Sequence, residues 1–118
     1  MLHSLLRSLK CRQVGQVQIN LSVNGTAVTP AASGPDANIV DSVTDLGAGN
    51  YKINFKEKFK KALHVSAIVP LTDKANIRVT ATDVDSVTVQ ADDSTTGLSI
   101  DSDFNIQIQC MDQLSYYF

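Results

Sequence analysis

The chain has no tryptophan, three tyrosines, four phenylalanines and two cysteines in 118 residues. Most of these aromatics fall in core phase, so the stacking platforms of a sugar-binding module are missing. Cys11 and Cys110 lie near opposite ends, and neither belongs to a Cys-x-x-Cys pair, which excludes the common zinc and redox motifs. A bridge between them would close a very long loop. Cys110, however, continues the inward phase of Phe104, Ile106 and Ile108, so a buried free thiol is the simpler expectation.

Positive charge is absent from the last third. No Lys or Arg follows Arg78, while seven Asp lie beyond it. The cations gather in two earlier places, Arg7, Lys10 and Arg12 near the start and Lys52, Lys56, Lys58, Lys60 and Lys61 further on. With a net charge of −2 and no aromatics interleaved among the lysines, a nucleic-acid surface is not expected. Opposite poles on a small module suit a charged neighbour or a second copy of the chain.

Long hydrophobic runs are also missing. No segment approaches membrane-spanning length. Met1 to Lys10 has no small-residue cleavage site, so neither a secretory signal nor a membrane partner is expected. Catalytic patterns are missing too: no Gly-x-Ser-x-Gly, no phosphate loop and no dinucleotide fingerprint. His3 and His64 have no Cys or carboxylate at ligand spacing. No catalytic residue, cofactor or metal is therefore assigned, and the chain is expected not to be an enzyme. Six aspartates sit in or beside turns, as the pairs Asp83 and Asp85, Asp92 and Asp93, and Asp101 and Asp103. Calcium takes six to eight oxygens and suits such pairs, but Asp is also the ordinary turn residue.

What is present is β-branched and alternating. A chain of this length fits one domain and buries roughly two-thirds of its unfolded surface. Val17, Ile19, Leu21 and Val23 alternate with Gln16, Gln18, Asn20 and Ser22, and Asn24-Gly25 marks a turn. Thr29 to Asn38 is an exposed loop with Pro30 and Pro35. A short strand over Ile39 to Thr44 leads to the Gly47 to Gly49 turn. Tyr51, Ile53 and Phe55 then alternate with Asn50, Lys52 and Asn54. Glu57 to Lys61 is a charged connection with one apolar anchor, Phe59. Leu63 to Leu71 is nearly continuous apolar chain and predicts a central strand buried on both faces, ending at Pro70. Further strands are expected over Asn76 to Thr82, Ser86 to Ala91, Leu98 to Ile100 and Phe104 to Cys110. About eight short strands predict an all-β fold, an antiparallel β-sandwich or jelly-roll-like barrel.

Both ends differ from this middle. Leu2, Leu5, Leu6 and Leu9 form a helical stripe with Arg7 and Lys10 off it. So short a helix needs a surface to dock on. The chain closes on Leu114, Ser115, Tyr116, Tyr117 and Phe118, and aromatics are favoured interface anchors. The expected organisation is an arm or short helix over 1–13, a sandwich over 14–112 and an aromatic tail over 113–118. The interface candidates are Leu2, Leu5, Leu6, Leu9, Arg7, Lys10 and Arg12 at one end and Tyr116, Tyr117 and Phe118 at the other.

The run Gly47-Ala48-Gly49-Asn50-Tyr51-Lys52-Ile53-Asn54-Phe55, then Phe59, then Ala62 to Val69, resembles a β-module of bacteriophage virion proteins. Ser86 to Val89 and Asp101-Ser102-Asp103-Phe104-Asn105-Ile106 extend the likeness, which covers Val43 to Ile108. Members often carry a proline before the central strand, where this chain has Ala62-Leu63. The likeness is similar both to capsid decoration (cement) proteins and to tail-fibre domains. It implies a non-enzymatic structural role, usually as a homotrimer. Small size and the lack of a fibre shaft favour decoration on the capsid surface, bound to the major capsid protein or another virion protein. The protein would be made in the host cytoplasm. The alternatives are a tail or fibre-tip protein that binds a host receptor or baseplate, and a carbohydrate-binding sandwich.

Overall fold

The structure, a computed structural model, describes residues 17–59 and 63–110, with the backbone alone for Val17 and Cys110. The strands are β1 (Val17–Asn24), β2 (Ala32–Ser33), β3 (Val40–Gly47) and β4 (Asn50–Phe55), then β5 (His64–Pro70), β6 (Ala75–Thr82), β7 (Ser86–Asp93) and β8 (Asp103–Cys110). A 3-10 turn, Ala37–Ile39, precedes β3. Two antiparallel four-stranded sheets, β2-β1-β8-β5 and β3-β4-β7-β6, pack as a β-sandwich.

Period-two alternation decides which side chains meet between the sheets. Ile19, Leu21 and Val23 of β1 and Phe104, Ile106 and Ile108 of β8 line one wall. Tyr51, Ile53 and Phe55 of β4 and Val87, Val89 and Ala91 of β7 line the other. All twelve sit on the two inner strands of their sheets, where both edges are paired. Each such side chain larger than alanine contributes roughly 1.5–3 kcal/mol by leaving water. Tyr51 and Phe104 bridge the sheets, with ring centroids 5.9 Å apart. Phe59 and Leu63 close one end, Phe59 edge-on to Phe55 at 6.4 Å.

The expected strand over Leu63 to Leu71 exists, but it is not central. β5 is an edge strand, paired with β8 alone. Its outward residue Val69 is 55% exposed, and Leu71 just beyond is exposed too. A register shift between Val65 and Ala67 explains the apolar run. Val65 and Ile68 both reach the core, with the irregularity at Ser66 resetting the phase between them. Two inward stretches joined by a bulge thus read as one continuous buried strand. Leu98 to Ile100 likewise forms no strand, only a single bridge between Asp92 and Ser99.

The topology gives the sandwich two distinct ends. At one, the apex, lie the loops 25–31, 71–74 and 94–102 and the Ala48-Gly49 turn. At the other, the base, lie residues 56–59, Leu63 and the loop 83–85. Val17 and Cys110 are partners across β1 and β8 at the base, so the described chain begins and ends side by side.

Candidate functional site

The apex is organised around one hydroxyl. Alternation drives Tyr51 inward, and its ring is fully buried. Its oxygen lies 2.8 Å from the Gly25 carbonyl and 2.9 Å from Asp101 Oδ1, and it accepts a 3.4 Å bond from the Ser102 amide. Asp101 Oδ1 also accepts the Gly49 amide at 2.9 Å. Three loops therefore meet at Tyr51. Burial, and then the hydrogen bond to Asp101, push the phenol pKa well above its ordinary value.

Glycines let the loops come this close. A Cβ on Gly25 would press into the Ser102 carbonyl and the Tyr51 ring. Gly49 has φ +68°, and a Cβ there would meet the Ala91 and Ile100 carbonyls. Its own carbonyl accepts the Ala91 amide at 2.8 Å. Beside it, buried Gln90 donates from Nε2 to Ala91 O at 3.0 Å and Ser99 Oγ at 3.0 Å. The result is a cap with preset geometry, carrying exposed Val28, Leu46, Leu71 and Leu98 around it.

The apical carboxylates serve these loops. Asp103 Oδ1 accepts the Thr26 amide and hydroxyl at 3.0 and 2.8 Å. Asp93 Oδ1 accepts the Thr96 and Thr95 amides, which hold its carboxyl below the usual range. Asp92 pairs with Arg78 at 3.3 Å on the surface, a contact worth little in water. Asp83 and Asp85 sit at the other end of the molecule, at the base. The three Asp pairs thus do not converge. Among the described residues no group of three His, Cys, Asp or Glu stands close enough to hold a metal ion.

The lysine cluster divides. Lys52 lies mid-strand on the outer face of β4, whereas Lys56 and Lys58 are exposed in the basal loop. That loop is tied down by Phe59 N to Val84 O at 2.8 Å and Leu63 N to Asp83 O at 3.0 Å. Lys60 and Lys61 lie outside the described residues. So do all ten interface candidates: Leu2, Leu5, Leu6, Leu9, Arg7, Lys10, Arg12, Tyr116, Tyr117 and Phe118. Cys11 and the Cys110 side chain also fall outside.

A second surface went unread in the sequence. The outer face of β1 and β8 pairs Gln18 with Gln109, Asn20 with Gln107, and Ser22 with Asn105. β5 continues these rows with His64, Ala67 and Val69. A shallow groove of about 290 Å³ runs over Asn20, Ser22, Pro35, Val69, Asn105 and Gln107. The alternation that marks the core also sets these polar side chains on the outer face, but nothing local in the sequence shows that β1 and β8 lie side by side.

Comparison of the chain with protein families, with curated proteins and with solved structures finds no match.

Proposed function

We propose that this chain is a non-enzymatic structural protein of a bacteriophage virion, which decorates or cements the capsid as a homotrimer. The likeness of Val43 to Ile108 to virion β-modules supplies the class. The observation that carries the attachment is the pairing of Val17 with Cys110. It brings both ends of the described chain to the base of the sandwich, and residues 1–16 and 111–118 continue from there in the sequence. Lys56 and Lys58 are exposed at that same end. The base is thus the side turned to the major capsid protein or another virion protein, and the apex faces outward.

The test is localisation by electron microscopy of intact particles, with the full chain and a chain lacking residues 1–13. Three-fold density on the shell that is lost or weakened with the truncated chain is the expected result. Unchanged loading of the truncated chain would mean that the first residues do not attach it. A position at the tail tip would favour the second reading, a receptor or baseplate contact. That reading draws on the clamped apex with its exposed Val28, Leu46, Leu71 and Leu98.

A further inference from the structure

We propose that Asn24-Gly25 is a latent deamidation site, shut while the Tyr51 clamp holds the apex together and reactive when the clamp opens. The chemistry is that of the apex alone and does not depend on the virion reading.

The apex fixes both members of the pair. Gly25 does not have a positive φ, so backbone conformation does not demand glycine there. Space does, because a Cβ would press into the Ser102 carbonyl and the Tyr51 ring. Asn24, exposed at the end of β1, is used through its side chain, whose Oδ1 accepts the Ala31 amide. The contacts that build the cap thus set a peptide nitrogen without a neighbouring side chain directly after an asparagine. Glycine leaves that nitrogen open to attack the side-chain amide, and it adds backbone freedom once the loop is released.

The reaction needs only water. The Gly25 nitrogen gives its proton to solvent and attacks Asn24 Cγ. A C–N bond forms, the Cγ–Nδ2 bond breaks, and ammonia leaves with a proton taken from solvent. Water then opens either carbonyl of the cyclic imide and leaves aspartate or isoaspartate at position 24.

Attack requires the peptide between the two residues to turn toward the side chain, and the native apex opposes that turn on both sides. The Asn24 amide donates to Ala31 O at 3.2 Å, and the Asn24 carbonyl accepts the Ala27 amide at 3.0 Å. The Gly25 carbonyl lies 2.8 Å from the Tyr51 hydroxyl. The Thr26 amide donates to Asp103 Oδ1 at 3.0 Å. The bond from Ala31 also holds the Asn24 side-chain amide itself. Reaction therefore proceeds through local opening of the apex, and its rate reports how often that opening occurs.

The product weakens what protected it. Asn24 stands directly opposite Asp103 across β1 and β8. A carboxylate at position 24 sets like charges face to face, which destabilises a strand pair. Asp101, beside the Tyr51 hydroxyl, adds negative charge to the same end. Isoaspartate also lengthens the main chain, where Gly25 has no room to shift.

The experiment is incubation of the full chain in mildly alkaline buffer, with peptide mapping by mass spectrometry for acid at position 24. Folded wild type, wild type unfolded in denaturant, and folded Tyr51→Phe are compared, with folding checked by circular dichroism. The unfolded chain is expected to react fastest. Folded Tyr51→Phe is expected to react about tenfold faster than folded wild type or more, as loss of a buried hydrogen bond eases opening. Folded wild type that reacts as fast as the unfolded chain overturns the proposal, and so does an unfolded chain that keeps Asn24 intact. Equal rates in the two folded proteins overturn it as well, because Tyr51 is then not the gate. Should Tyr51→Phe not fold, hydrogen exchange at the wild-type Thr26 amide decides. Protection that falls in step with faster deamidation as denaturant is raised supports the gate, and an unprotected amide overturns it. Asn24→Asp tests the consequence. It is expected to unfold at lower denaturant than wild type at neutral pH and to match it in acid, where the facing carboxylates are protonated. Equal midpoints at neutral pH would show that the product does not weaken the apex.

Discussion

The hydroxyl of Tyr51 has one proton and two acceptors within 2.9 Å, the Gly25 carbonyl and Asp101 Oδ1. Either bond leaves the other oxygen facing an oxygen, so the neutral phenol is what the site holds. Folding therefore retains a proton that the unfolded tyrosine gives up near pH 10. A raised folded pKa means stability is complete below that pH and is lost as pH climbs above it. Denaturant melts should show an alkaline loss that Tyr51→Phe removes. At neutral pH the same variant should cost about 1–3 kcal/mol, because the groups around the hydroxyl stay buried without it. Gly49→Ala should cost at least about 2 kcal/mol, since positive φ and two backbone carbonyls both oppose a Cβ. An unchanged melting midpoint for Gly49→Ala would show that the turn can move away from Ala91 and Ile100. That Tyr51 is core was legible from its alternation with Asn50 and Lys52. Its hydroxyl partners were not, because they lie 26 and 50 residues away and no local pattern marks them.

At the scale of elements, edge and centre separate strands of similar composition. β4 is flanked by β3 and β7, and Phe55 at its end is 6% exposed. Phe55→Ala should cost roughly 3–5 kcal/mol in a denaturant melt, as for a buried phenylalanine. Val69→Ala on β5 should cost under about 0.5 kcal/mol, because its side chain already meets water. Comparable losses at both sites would mean that β5 is covered after all. Hairpins such as β3–β4 were readable because glycine turns announce them. The rank of β5 in its sheet was not, since hydropathy reports what a strand could bury and not which neighbours it receives. The bulge at Ser66 compounded this by merging two one-sided stretches into one apolar run.

The molecule as a whole is a sandwich with unlike ends. Acidic, hydrogen-bonded loops form the apex, and the base carries both ends of the described chain and exposed lysines. Charge asymmetry along the sequence suggested opposite poles, but the described residues do not separate them: Lys52 lies mid-sheet, Lys74 lies at the apex, and Asp83 and Asp85 lie at the base with Lys56 and Lys58. Removing residues 1–13 and 113–118 together should leave a cooperative unfolding transition, since the core among the described residues already spans both sheets from Ile19 to Ile108. Loss of cooperativity in calorimetry would show that the two segments complete the core.

The pairing of Val17 with Cys110 also governs how the molecule bears load. β1 and β8 are antiparallel over eight registered pairs, from Val17–Cys110 at the base to Asn24–Asp103 at the apex. A force that draws the two chain ends apart acts on the first rung alone, then on the next. Each rung resists with only the ~0.5–1.5 kcal/mol of a backbone hydrogen bond. A force on the apex, with Val17 and Cys110 held at the base, instead runs along the two backbones in parallel, and the rungs between them carry little of it. The same eight pairs are thus a zipper to one pull and a bystander to the other, whose load falls on covalent bonds.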